Sequence, residues 1–163
     1  EMVREAGGTP VQSKTGHAFI KERMRREDAV YGGEMSAHHY FRNFAYCDSG
    51  MLPWLLMMSI MSETGKPLSE LIEERRQRYP SSGEINTRVS DTDEVIHRVQ
   101  QRYAANATHI EEVDGLSMEF DNKWRFNLRS SQTEPILRLN VEAFADEDLM
   151  REKTAELREI ITE

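Results

Sequence analysis

Tyr79-Pro80-Ser81-Ser82-Gly83 is a turn-forming stretch, and the chain on its two sides differs sharply in charge. Residues 1–79 hold 11 Lys/Arg and 11 Asp/Glu, whereas residues 80–163 hold 10 and 18. A chain of 163 residues can form one ordinary domain or two small ones. The break favours two, and we place the boundary between 79 and 80. With 38% hydrophobic and 31% charged residues, both parts can support packed cores. The net charge of −8 argues against a nucleic-acid binder that works by neutralising phosphates. The longest apolar run, 51–61, is interrupted by Pro53 and Ser59 and falls far short of the ~20 residues that a membrane span needs. Cys47 is the sole cysteine. It excludes an internal disulfide and a Cys-based zinc site, fits a reducing compartment, and is expected to be a small buried hydrophobe. Glu1 to Ala6 read as a last helical turn closed by Gly7-Gly8. A helix with no beginning suggests a piece of a longer protein.

The first part reads as strand, helix, strand, helix. Thr9 to Ser13 is a short strand, Ala18 to Asp28 a helix with Phe19, Ile20 and Met24 on one face, and Ala29 to Tyr31 a buried strand ended by Gly32-Gly33. Asp48 or Ser49 can cap a Met-rich helix running to about Glu63 and stopped by Gly65; such a helix is ordinarily pliable core. Pro67 opens the next helix, Leu68 to Arg78. This order is α/β grammar, with a parallel or mixed sheet.

The second part reads as an α+β module. Glu84 to Val89 alternates like a half-buried strand. Asp91 caps a helix whose stripe is Val95, Ile96, Val99 and Tyr103. His109 to Val113, the pair Asp114-Gly115, and Leu116 to Phe120 form a hairpin. Trp124 to Leu128 and Ile136 to Ala143 are further strands, and a last amphipathic helix starts near Glu147. Two helices then cover one face of a mainly antiparallel sheet.

Two loops carry candidate chemistry. Gly32 to His39 follows the expected strand and collects Glu34, Ser36, His38 and His39. Loops at the carboxyl ends of parallel strands are where α/β sheets place ligands, and a carboxylate such as Glu34 can accept from two neighbouring sugar hydroxyls. His17, His38 and His39 with Glu34 or Asp48 offer metal-ligand types, but no HxxxH or HExxH spacing accompanies them, so no metal is expected in this chain. Extended neighbours point to opposite faces, which separates His38 from His39. The second loop, Arg129-Ser130-Ser131-Gln132-Thr133-Glu134-Pro135, offers a guanidinium, hydroxyls, an amide and backbone N–H groups. Such a set can wrap a phosphate, and a plain turn does not need the arginine.

Gly7-Gly8-Thr9-Pro10, Lys14-Thr15-Gly16-His17, Gly33-Glu34-Met35-Ser36-Ala37-His38 and Arg129 to Pro135 occur in that order. On them the chain resembles the phosphohexomutase superfamily, in its bacterial phosphomannomutase branch, over essentially its whole length. The resemblance implies four domains around a cleft, of which this chain would hold the later part of the third (1–79) and the fourth (80–163), the latter resembling the TATA-box-binding protein in fold. It implies an isomerase that is a phosphoprotein: a phosphoserine passes its phosphate to a phosphosugar, a hexose 1,6-bisphosphate turns over in the cleft, and the other phosphate returns. Mannose 6-phosphate and mannose 1-phosphate would be interconverted in the cytoplasm, on the way to nucleotide-activated mannose. Phosphoglucomutase activity, dual specificity, or a non-catalytic phosphosugar-binding module are the alternatives. Neither the phosphoserine motif nor an acidic loop for Mg2+ is present, so the isolated chain is expected to be inactive. By resemblance Glu34, Ser36, Lys14, His17 and His38 hold the sugar, with His38 and His17 as possible acid–base groups. Arg129, Ser131, Gln132 and Thr133 hold the non-transferred phosphate. The expected partner is a small-molecule phosphosugar. Ala37 departs from the usual Gly, Gln132 from the usual Asn, and Asn140 stands near where some members carry a second phosphate arginine, with Arg138 beside it.

Overall fold

A computed structural model describes residues 2–131 and 134–163. It divides into two compact units, Glu1–Lys66 and Pro67–Glu163. In the first, α1 (Met2–Glu5) is closed by Gly7, at φ +80°, and the N–H groups of Gly7 and Gly8 donate to Arg4 and Val3 carbonyls. α2 (His17–Glu27) ends on Asp28 in the left-handed region. Three short strands follow: β1 (Tyr31–Gly33), β2 (His39–Phe41) and β3 (Cys47–Asp48).

Both pairings in this sheet are antiparallel, in the order β1-β2-β3. That corrects the parallel grammar read for this part: the chain turns straight back after Gly33, so β1 meets β2 rather than an earlier strand. Residues 9–13 form no strand. The expected buried strand 29–31 shifts to 31–33, and Val30 and Tyr31 are exposed. Its function as packing surface survives in one residue. A Cβ at Gly32 would lie 2.7 Å from Met24 Sδ and 3.1 Å from Ile20 Cγ2. Ile20, Met24 and Tyr40 make the small core of this unit.

α3 (Met51–Thr64) ends on Gly65 at φ +68°. Ser49 Oγ accepts from the Leu52 N–H at 3.3 Å and so provides the cap. The helix is not core among the described residues: Met51, Trp54, Leu55, Leu56, Met58 and Ile60 are all exposed. Its apolar residues run around the whole circumference, a pattern that suits a helix covered on several sides. Cys47 is exposed as well, because on β3 its neighbour Asp48 takes the inward position.

The second unit starts with α4 (Leu68–Arg78) and then follows the predicted order closely: β4 (Ile85–Arg88), α5 (Thr92–Tyr103), β5 (His109–Glu111), β6 (Leu116–Phe120), β7 (Trp124–Ser130), β8 (Ile136–Ala143) and α6 (Glu147–Thr162). The sheet is antiparallel, in the order β4-β8-β7-β6-β5. Alternation sends Leu137, Leu139, Val141, Phe126, Leu128, Leu116 and Met118 to one face, where they pack with Val95 and Val99 of α5 and Leu157 and Ile161 of α6. Asp91 Oδ1 accepts from the N–H groups of Asp93 and Glu94, both at 3.0 Å. The stretch read as a linker is built into this unit. Ala143 N–H donates to Pro80 C=O at 3.0 Å, Ser82 N–H to Val141 C=O at 2.9 Å, and Ala145 N–H to Arg78 C=O at 2.9 Å. Residues 78–82 therefore extend the β4 edge along β8, and Pro80 is buried.

Candidate functional site

In the first unit the tip of the β1–β2 hairpin carries the polar cluster. Glu34 N–H donates to His38 C=O at 3.0 Å and Ala37 N–H to Glu34 C=O at 3.1 Å. Ala37 takes φ +63°, a conformation glycine adopts without strain. Ser36 is exposed on this turn, and Lys14 is exposed in the loop before α2. Glu34 accepts a short hydrogen bond from the Tyr40 hydroxyl. The Tyr40 ring is fully buried. Burial first, and then the Glu34 carboxylate, push the Tyr40 phenol well above its usual value. The phenol therefore stays protonated and holds one oxygen of Glu34, while the other lone pairs of the carboxylate remain available to a ligand.

His38 and His39 diverge as alternation requires. His39 Nδ1 meets the Tyr31 hydroxyl at 2.7 Å. His38 Nδ1 meets Asp48 Oδ2 at 2.8 Å. The His17 ring stands edge-on to His38, centroids 4.6 Å apart, and to Tyr40 at 5.3 Å. The hairpin and the start of α2 thus bring together Glu34, His38 and His17, with Tyr40 and Asp48 behind them. Sequence reasoning missed Tyr40, and set Asp48 beside these histidines without seeing the contact between them. Tyr40 and Asp48 are register partners on β2 and β3, a pairing that only the antiparallel sheet creates. Among the described residues, His17, His38 and Asp48 place three donor atoms within 4.8 Å of one another. His38 Nδ1 is already committed to the Asp48 carboxylate, and we read the group as a hydrogen-bonded network.

In the second unit Arg129 ends up on the helix-free face of the sheet. Its guanidinium lies 3.1 Å from Glu84 and 4.0 Å from Asp114. Arg138, its register partner on β8, lies 3.2 Å from the other oxygen of Glu84. Asn140, also on this face, is buried, and neither its Nδ2 nor its Oδ1 has a partner among the described residues. Ser131 N–H donates to Ile136 C=O at 2.9 Å and so closes the loop. Gln132 and Thr133 lie outside the described residues. Partial burial alone would raise the Glu84 pKa, but the hydrogen bond from Arg129 and the charges of both arginines outweigh it and hold the group below the usual carboxylate range. A depressed folded-state value contributes stability that is present above the unfolded pKa of about 4.3 and lost as pH falls through the lower folded value. Glu84→Gln should therefore lower the unfolding temperature at pH 7, and the gap to wild type should close on acidification below about pH 4. Thermal melts from pH 7 to pH 2.5 check this, and a gap that stays constant would contradict it.

The hairpin thus sets a carboxylate beside two imidazoles, and the helix-free face of the second unit's sheet carries two guanidiniums on one carboxylate. The family model described as phosphoglucomutase/phosphomannomutase, alpha/beta/alpha domain III, matches residues 1–79, and the model described as phosphoglucomutase/phosphomannomutase, C-terminal domain, matches residues 84–160. The chain belongs to the phosphoglucomutase/phosphomannomutase family. A phosphomannomutase of Escherichia coli is 55% identical over 163 residues, which is 100% of this chain and 36% of that protein. A phosphomannomutase of Salmonella typhimurium is 56% identical over 99% of this chain and 35% of its own length. A protein of Xanthomonas campestris named phosphohexose mutases is 54% identical over 99% of this chain and 36% of its own length. The crystal structure of a phosphoglucomutase/phosphomannomutase family protein from Burkholderia thailandensis superposes with a TM-score of 0.77 at 25% identity, covering 98% of this chain and 33% of that one. The chain thus spans about a third of the length of these relatives. No helix among the described residues is long and apolar enough to cross a membrane.

Proposed function

We propose that this chain supplies the sugar-recognition and phosphate-binding parts of a phosphomannomutase that interconverts mannose 6-phosphate and mannose 1-phosphate in the cytoplasm. Residues 1–79 would belong to the sugar-recognition domain and residues 80–163 to the phosphate-binding domain. The observation that carries the reading is the 55% identity to a phosphomannomutase along all 163 residues. A mutase must hold its sugar in two orientations. Groups that bind ring hydroxyls near the middle, or the phosphate that is not being transferred, serve both. Glu34 is suited to the first task, with Ser36, Lys14, His17 and His38 around it. Arg129 is suited to the second, with Ser131, Gln132 and Thr133. A hexose 1,6-bisphosphate is the intermediate such turnover passes through. Magnesium prefers an all-oxygen set of ligands. The imidazole-rich cluster at His17 does not fit it, so we assign no residue of this chain to that ion.

The test is turnover of mannose 1-phosphate by the full-length enzyme containing this chain, with the isolated chain as an inactive control. Glu34→Ala removes a ligand for the sugar and also the partner of the buried Tyr40 hydroxyl, so it should cost both activity and roughly 1–3 kcal/mol of stability. Glu34→Gln keeps an oxygen for Tyr40 and gives up the charge. It should leave the unfolding temperature nearly unchanged, raise KM and lower kcat. Wild-type kinetics in Glu34→Gln would remove Glu34 from the site. A second reading, in which glucose phosphates are also substrates, is favoured by the description of both matching family models as phosphoglucomutase/phosphomannomutase. Parallel assays with glucose 1-phosphate separate the two.

A further inference from the structure

We propose that Asp48 is a positioning residue for His38: it fixes the imidazole in the Nδ1–H tautomer and in one orientation, and leaves Nε2 as a hydrogen-bond acceptor for a ligand. Asp48 looked like a helix cap in sequence, but Ser49 fills that role. The carboxylate of Asp48 is committed elsewhere on both oxygens. Oδ1 accepts from the backbone N–H of His39 at 2.8 Å, and Oδ2 meets His38 Nδ1 at 2.8 Å. The backbone N–H of His39 and the hydrogen bond from His38 hold Asp48 below its usual pKa. A carboxylate ion has no proton to give, so the hydrogen between the two groups sits on Nδ1. The tautomer of a neutral imidazole is set by the bond its other nitrogen makes.

Orientation follows from the same contacts. Asp48 is held by strand pairing, with Tyr40 as its register partner. The His38 ring is braced by the edge-on His17 ring at 4.6 Å. The side chain of His38 nevertheless remains 41% exposed. The ring is therefore fixed on one side and reachable on the other, which is what a binding imidazole needs and a core histidine lacks. The tautomer follows from the contacts of Asp48 and its ionised state. Its effect on turnover rests on the phosphohexomutase reading above.

Two measurements test the two parts separately. Long-range 1H–15N correlation spectra of the chain report which imidazole nitrogen carries the proton. In wild type the His38 proton should be on Nδ1. Asp48→Asn keeps an oxygen for the His39 N–H and can donate its amide to Nδ1, so His38 should move to the Nε2–H form. A proton on Nε2 in wild type, or an unchanged tautomer in Asp48→Asn, overturns the proposal. The wild-type spectrum decides the matter even if the variant fails to fold. In the full-length enzyme, Asp48→Asn should lower kcat by at least roughly tenfold with a smaller change in KM, and it should have no further effect in a His38→Ala background. A switched tautomer with unchanged kcat would keep Asp48 as the positioning group and remove His38 from the function proposed above. Additive losses in the double variant would overturn positioning as the route by which Asp48 affects turnover.

Discussion

Replacing Arg129 with alanine is expected to weaken phosphosugar binding by about 2–3 kcal/mol, roughly 30- to 150-fold in Kd. The guanidinium opens a loop of hydroxyl and amide donors on the helix-free face of β7, and it is already arranged on an anion, the Glu84 carboxylate at 3.1 Å. A fork of N–H donors matches two oxygens of a phosphate as it matches a carboxylate. Lysine has the charge without the fork, so Arg129→Lys should lose about 1–2 kcal/mol. The loss should be equal for the 1-phosphate and the 6-phosphate, because one loop serves both orientations. Stability should change little, since the ion pairs of Arg129 are partly solvated and such pairs contribute about 0–1 kcal/mol. Calorimetric titration of the full-length protein with each ligand checks all of this. Unchanged affinity in Arg129→Ala would take the loop out of the proposed site, and a loss for one ligand only would break the two-orientation argument.

Gly115→Ala should be the most destabilising single-methyl change in the second unit. Gly115 sits at φ +75°, and a Cβ there would lie 2.5 Å from Arg129 Cβ, 2.6 Å from the Leu128 carbonyl oxygen and 2.8 Å from Arg129 Cα. Two of these atoms belong to the backbone of a central strand, so no side chain can swing aside. Left-handed strain plus overpacking comes to roughly 2–4 kcal/mol, a fall of roughly 10 °C in unfolding temperature for a unit of this size. The same clash pushes on Arg129, so phosphate affinity should fall too, whereas Arg129→Ala loses affinity and keeps its melting temperature. An unchanged unfolding temperature in Gly115→Ala would contradict the close approach of the β6 start to β7.

The second unit was legible because its signals are local and agree with one another. Asp91 before Val95, Ile96, Val99 and Tyr103 states a capped amphipathic helix, and Asp114-Gly115 between two alternating runs states a hairpin. The first unit has strands of two or three residues, two of them glycines, and these carry no period to read. Direction of pairing was therefore lost, and with it the partnership of Asp48 with His38. Asp48 and Ser49 are equally good caps by type, and only the β2–β3 register frees one of them for other work. The stretch Tyr79 to Gly83 has a tertiary role of the same kind. Pro, Ser and Gly mark a turn in isolation, but the edge of β8 offers backbone groups that recruit Pro80 and Ser82. The candidate loops were legible as stretches rich in suitable donors, while what holds those donors still, Tyr40 under Glu34 and Glu84 across Arg129 and Arg138, is tertiary and left no mark on composition.

Glu84, held between two guanidiniums, has a bearing on selectivity. Under the proposed function, a phosphate that engages Arg129 and Arg138 would not enter an empty cationic seat; it would take over from a sitting tenant of one negative charge. The binding reaction is then an exchange of anions, and its driving force is the difference between them rather than the full attraction of either. Chloride, or a carboxylate metabolite of single charge, gains nothing over the incumbent. A dianion with three oxygens would, and so discrimination against the common monoanions of a cell would follow from an acidic residue placed where simple electrostatics would have put none.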